Sequence, residues 1–174
     1  MKTTVVAGLL VLGATPAVGQ VSAAPDSAAV ARYQALLIGL RDTVDLVSAR
    51  ANEFRRDLQS VGETTVLARA SRLEVACRAT RGALAVARPQ LAAARLASHQ
   101  AGARDSLVTA IGVLTSSLAR DCEQGLGPAG PGSRADTLRA WGPNRTAALI
   151  QAVAGYHGAA ARFARRLGTD LTGR

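Results

Sequence analysis

One pattern constrains this chain more than any other: apolar residues recur at alternating steps of three and four along most of its length. From Val30 they run Val30, Tyr33, Leu37, Leu40, Val44, Val47, Ala51, Phe54, Leu58 and Val61. A helix is the common structure that puts such positions on one face. Residues 30–61 are therefore expected to be an amphipathic helix, with Asp26 as N-cap and Gly62 as stop. A second seam follows at once through Val66, Ala70, Leu73, Cys77, Thr80, Leu84, Ala87, Leu91 and Ala94. Pro89 falls opposite that seam, where it bends or splits the helix without spoiling the packed face. The third seam carries Val108, Ile111, Thr115, Leu118 and Cys122, widened by Leu107 and Leu114. The fourth carries Thr146, Leu149, Val153, Tyr156, Ala160, Phe163 and Leu167, and stops at Gly168. No alternating strand pattern competes with these seams.

Between the third and fourth seams lies "GLGPAGPGSRADTLRAWGPN", whose glycines and prolines cannot continue a helix. Residues 125–143 are expected to be a linker, with 134–140 at most a short helical turn and Trp141 folding back over one end of the core. Short connections elsewhere imply antiparallel neighbours. The expected fold is all-α: an antiparallel four-helix bundle with a Gly/Pro-rich crossover before the last helix. Alanine-rich seams favour close helix approach.

The start, "MKTTVVAGLLVLGATPAVGQVSAAPD", has a positive tip at Lys2, a short apolar core and small residues at candidate cleavage points after Gly19 or Ala23. This is the pattern of a secretory signal peptide, expected over residues 1–23. Gly13, Pro16 and Gln20 interrupt the core too much for it to span about 30 Å of hydrocarbon. The mature domain would be residues 24–174, secreted or periplasmic, with no transmembrane segment after cleavage. Lys2 is the one lysine, so every other cation in a chain of formal charge +9 is arginine. A basic balance suits anionic partners, although GC-rich coding also favours arginine alongside alanine, glycine, leucine and valine.

Both cysteines occupy seam positions and should point inward. If helices two and three turn near His99 to Gly102, Cys77 and Cys122 each lie about 22 residues from the turn, or roughly 33 Å along their helices. They then stand at one height on neighbouring helices, and an oxidising compartment would join them. Other uses of Cys77 fail on chemistry. "CRATR" lacks the second cysteine and histidine of a haem attachment site, and a redox C-x-x-C is missing for the same reason. His99 should sit at the far end of the hairpin, beyond reach of a nucleophilic thiol.

The remaining motifs carry less. Gly125, Gly127 and Gly130 form a literal G-x-G-x-x-G, but it follows a helix, and Pro128 and Pro131 remove donors that a phosphate needs. No E-x-x-H or H-E-x-x-H appears, so no metal set or cofactor is expected. Asp42 with Asp45, and Glu53 with Asp57, sit among arginines and read as salt-bridging faces. Ser98 and His99 adjoin without catalytic geometry, and no G-x-S-x-G elbow occurs. Asn144 begins an N-x-T sequon at a position that also suits a helix cap. "GYHG" places Gly155 and Gly158 around Tyr156 and His157, at a cost of roughly 1 kcal/mol per glycine relative to alanine. Such glycines admit either a neighbouring helix or a small ligand, and the second reading makes Tyr156 and His157 a pocket.

Arg81, Arg88 and Arg95 repeat every seven residues beside the second seam, and Arg162, Arg165 and Arg166 cluster at the end of the fourth. These arginines either pair with acids on neighbouring helices or form a basic strip for an anionic surface. Aromatic residues for base stacking are missing from the strip, which argues against specific nucleic-acid recognition. The expected function is a non-catalytic exported bundle that binds a protein partner or an anionic envelope surface. The alternative is a carrier of a small ligand or cofactor with an interhelical pocket near Tyr156 and His157.

Overall fold

A computed structural model describes residues 27–124 and 133–171. The expected signal peptide, Asp26 and the Gly125/Gly127/Gly130 motif lie outside the described residues. Four long helices follow in order: α1 (Ser27–Asp57), α2 (Glu63–Ala92), α3 (Ser98–Ser117) and α4 (Arg134–Arg166). A π-helical turn, Leu118–Glu123, extends α3, closed by the Gln124 amide donating to the Ala119 carbonyl at 2.9 Å. Helix α1 packs on α2 and α4, α3 packs on α4, and α2 meets both α3 and the π turn. Neighbouring helices thus close a four-helix bundle, with no strand among the described residues.

The core is built from the seams. Along the second seam every residue from Val66 to Ala94 is buried, as is every residue of the fourth seam from Thr146 to Leu167. In α1 the buried run is Leu37 to Leu58, while Val30, Tyr33 and Val61 pack half-buried around its edge. Each fully buried leucine, valine or phenylalanine contributes about 1.5–3 kcal/mol relative to exposure. Helix α3 departs from expectation. Its inward stripe is Leu107, Ile111, Leu114 and Leu118, whereas Val108 and Thr115 are half-buried. The π turn adds a residue to the last winding, so both Asp121 and Cys122 turn inward.

Helix ends differ from the sequence reading where tertiary contacts decide them. Helix α1 stops at Asp57, and Gly62 serves as the extended N-cap of α2 (φ −66°, ψ 161°). Arg139 reaches over this corner, donating from Nε to the Leu58 carbonyl and from Nη2 to the Val61 carbonyl, both at 3.2 Å. Helix α2 ends at Ala92, so Arg95 belongs to the α2–α3 link rather than to the helix. No helix-breaking residue marks that point; burial of Ala94 and Ala97, and Arg104 donating to the Ala94 carbonyl at 2.8 Å, draw the chain out of the helix.

The expected linker is half helix. Ser133 caps α4 by accepting from the Asp136 amide at 3.1 Å, and burial of Ala135 and Leu138 anchors the first turns. Helix α4 then runs through Gly142 and Pro143 without a break. Thr146 donates its hydroxyl back to the Gly142 carbonyl at 2.7 Å, next to the amide that proline removes. Asn144 lies inside this helix, exposed, and does not cap it. Trp141 is 59% exposed and does not cover the core. Gly142 accounts for the close approach here: a Cβ on it would lie 2.9 Å from Leu58 Cδ1 and 3.2 Å from Phe54 Cε1. Helix α4 ends as expected. Gly168 takes φ 72°, and the Thr169 amide returns to the Ala164 carbonyl at 3.0 Å. The chain beyond it folds back on α1, with Gln34 donating to the Asp170 carbonyl and Arg41 to the Leu171 carbonyl.

Candidate functional site: a basic end and a groove between α3 and α4

Cys77 and Cys122 are joined as a disulfide, with Cα atoms 6.4 Å apart and both residues fully buried. The hairpin turn lies earlier than expected, in the link 93–97, yet the pairing holds. Cys77 is about 22 Å from the end of α2, and Cys122 about 36 Å from the start of α3. The link, long enough to cover roughly 17 Å when extended, lets α3 begin well beyond the end of α2 and restores the register. The bond fastens the π turn, and hence the far end of α3, to the middle of α2.

The arginines divide into two groups. Arg81 pairs with Glu123 of the π turn at 2.8 Å, so it belongs to the structural set. Arg69 is engaged by Glu53 and Asp57, Arg134 by Glu74 at 3.1 Å, and Arg120 by Asp121 at 2.6 Å. These ties consume most carboxylates on α1, α2 and the π turn. Arg88, Arg95, Arg162, Arg165 and Arg166 remain exposed and form no ion pair among the described residues, and the same holds for Arg32, Arg55, Arg72 and Arg78 on α1 and α2. The continuous strip expected from the seven-residue repeat therefore does not form. Arg81 is neutralised, and Arg95 sits on the link beyond the helix.

Arg162, Arg165 and Arg166 instead gather with His99, Gly102, Ala103 and Ser106 around one concavity of about 590 Å³. The antiparallel packing of α3 on α4 sets the first turns of one helix beside the last turns of the other. Gln100, buried, locks the corner by donating to the Arg166 carbonyl at 3.0 Å and accepting from the Ala97 amide at 3.3 Å. Cations at the end of α4 are favoured by its dipole, and the start of α3 adds positive potential to the same space. His99 was not expected in a basic cluster. Once the chain is a bundle with short connections, the start of α3 and the end of α4 must meet, and this carries the signal.

Tyr156 and His157 touch each other but do not line one concavity together. His157 reaches α1, its Nε2 3.0 Å from Asp45 Oδ1, and its ring meets Tyr156 edge-on at 5.5 Å. Tyr156 is fully buried, its hydroxyl finds no hydrogen-bond partner, and burial, with the Asp45 carboxylate adding, pushes its phenol well above the usual range. It forms part of the floor of a second concavity, a solvent-facing groove of about 890 Å³ between α3 and α4. His157 is not part of that groove. Nor do the glycines of "GYHG" admit a neighbouring helix. A Cβ on Gly155 would meet nothing within 4 Å, and one on Gly158 would touch only the Arg162 guanidinium at 3.4 Å.

Groove and basic end are continuous, because Ser106 and Arg162 border both. Ala110, Val113, Ala152, Gly155 and Ala159 give the groove an apolar strip, Thr109, Ser116 and Gln151 edge it with polar groups, and Arg88 lies along one side close to Gly112. At the far end Asp121 is tied down by Arg120, by Ser117 at 2.8 Å and by Arg145 at 3.8 Å. The hydrogen bond from Arg120, opposed by burial and helped by Ser117, holds the Asp121 carboxyl below the usual carboxylate range. Among the described residues no cluster of histidine, cysteine and carboxylate side chains could hold a metal ion, and no helix is long and apolar enough to cross a membrane.

No family model, curated protein or solved structure matches this chain.

Proposed function

We propose that this protein is an exported, non-catalytic helical bundle that associates with anionic surfaces of the cell envelope through the basic end of α3 and α4. One observation carries the reading: Arg162, Arg165 and Arg166 converge with His99 on a single concavity, and no carboxylate among the described residues pairs with them. Arg69, Arg81, Arg120 and Arg134 have acidic partners, and Arg32, Arg55, Arg72 and Arg78 are exposed without an ion pair among the described residues. Arg162, Arg165 and Arg166, by contrast, share one concavity. Three guanidiniums left unpaired at one corner make a local positive field that draws anions. The disulfide and the signal-peptide pattern of the first residues support export. The specific observation on Tyr156 favours the carrier alternative only in altered form, since His157 is engaged by Asp45 of α1 and does not line the groove.

The test is association with phosphatidylglycerol-containing vesicles across a salt series. Binding should weaken steeply with salt, because exposed charges are screened over about 8 Å at physiological ionic strength. Changing Arg162, Arg165 and Arg166 to glutamine should abolish most of it. Changing Arg81, Arg88 and Arg95 removes equal formal charge and should reduce it far less. Equal losses from the two triple variants would reduce the reading to net charge alone.

A further inference from the structure

We infer that the groove between α3 and α4 binds a single-chain alkyl carboxylate, with the chain along the groove and the carboxylate at Arg162, Arg165 and Arg166. The inference shares with the proposed function the availability of those three arginines, and adds a ligand. Two features lead to it. The groove is floored by the buried Tyr156 and Ala159 and flanked by Ala110, Val113 and Ala152. These residues offer a continuous apolar contact, edged by the polar side chains of Thr109, Ser116 and Gln151. Val113 is 57% exposed in it, and Gly155 leaves open space where any other residue would project. The second feature is the concentration of charge at one end: Arg88 stands alone beside the middle of the groove, near Gly112, while three unpaired guanidiniums gather where the groove meets the second concavity. The groove opens through Ser106 and Arg162 onto the three-arginine concavity with His99, whereas the arginine at its other end, Arg120, is already paired with Asp121.

An occupant that is apolar along most of its length and anionic at one terminus matches this arrangement best. From Ala148 to Arg162 the groove runs about 21 Å along α4, the reach of one long alkyl chain. Guanidinium groups suit a carboxylate because their planar fork matches its two oxygens. A two-chain lipid would need a second apolar channel alongside, and the second concavity, lined by His99, Gly102, Ala103, Ser106 and the three arginines, does not supply one.

Binding of hexadecanoate, dodecanoate, octanoate and acetate, each below its micellar concentration, reads this directly by calorimetry. Full burial of a methylene is worth about 0.8 kcal/mol, close to fourfold in affinity. A groove open on one side should give about twofold per methylene, until the chain outgrows it. Gly155→Phe projects a ring into the open groove and should flatten that series. Thr109→Phe, on the facing wall and exposed, should do the same, and guards against a fold defect in the first variant. Both should keep salt-sensitive vesicle binding. Dodecyltrimethylammonium, with the same tail as a twelve-carbon ligand but a cationic head, should not bind. Equal affinity for acetate and hexadecanoate, a chain-length series unmoved by both groove variants, or equal binding of the cationic amphiphile would each overturn the ligand. Vesicle binding that survives loss of the three arginines would instead overturn the proposed function, so the two failures are distinguishable.

Discussion

Gly142 and Gly155 lie on one helix, and replacing each with alanine should move stability in opposite directions. In both cases alanine gains about 1 kcal/mol of helix propensity, because it loses less backbone freedom on folding. At Gly155 nothing opposes the gain, since the added Cβ meets no atom within 4 Å. At Gly142 the Cβ would come within 2.9 Å of Leu58 Cδ1 and 3.2 Å of Phe54 Cε1. Both of those residues are 1% exposed, so neither can yield without displacing its own neighbours. Overpacking of that kind costs about 1–3 kcal/mol, which exceeds the propensity gain by about 1 kcal/mol. The two variants should thus differ by about 2 kcal/mol. For a domain near 150 residues that is a separation in Tm of about 4–8 °C, read from thermal melts by circular dichroism. Gly155→Ala should melt above the parent and Gly142→Ala below it. Two variants stabilised equally would refute the assignment of Gly142 as the contact glycine and Gly155 as the open one.

Three further outcomes follow from the interior. The exported protein should show no free thiol after denaturation and one Cys77–Cys122 peptide by mass spectrometry, and reduction should lower stability by up to about 4 kcal/mol while the helical signal persists below the new melting point. Tyr156→Phe removes a buried hydroxyl that lacks a partner, so chemical denaturation should find the variant as stable as the parent or more so; a loss beyond 1 kcal/mol or so would reveal a hydrogen bond the structure does not contain. Asp121 has a folded-state pKa below its unfolded value, so its contribution is present above the ordinary carboxylate pKa near 3.9 and is lost as pH falls through the lower folded value. Asp121→Asn should cost about 1–2 kcal/mol at pH 7 and bring stability curves of parent and variant together at low pH; curves that stay parallel would exclude the carboxylate as the cause.

The fold was legible because burial follows helical period wherever one face meets the core. Seams containing Leu73, Leu84, Leu149 and Phe163 could be traced by counting. The α3 stripe was displaced because counting back from Cys122 crosses a π turn, and no sequence signal distinguishes that turn from an α-helical one. The start of α4 was hidden by Gly142 and Pro143, each a helix breaker in isolation. Burial of Ala135 and Leu138 and the Ser133 cap outweigh both. The fate of the arginines could not be counted out at all. Whether Arg81 or Arg165 meets a carboxylate depends on which helix lies opposite, and a seven-residue repeat along α2 says nothing about that. The open space at Gly155 is likewise a property of how α3 sits against α4, where the sequence shows only a costly glycine.

The claim that anions bind at one corner, and not to a diffusely basic molecule, is tested most directly by arginine side-chain Nε–Hε resonances during titration with a soluble polyanion. Arg162, Arg165 and Arg166 should shift first and saturate together, with the His99 ring following. Arg32, Arg55, Arg72 and Arg78, which are also exposed, should move little at the same polyanion concentration. Uniform shifts across all exposed arginines, growing without saturation, would contradict the account.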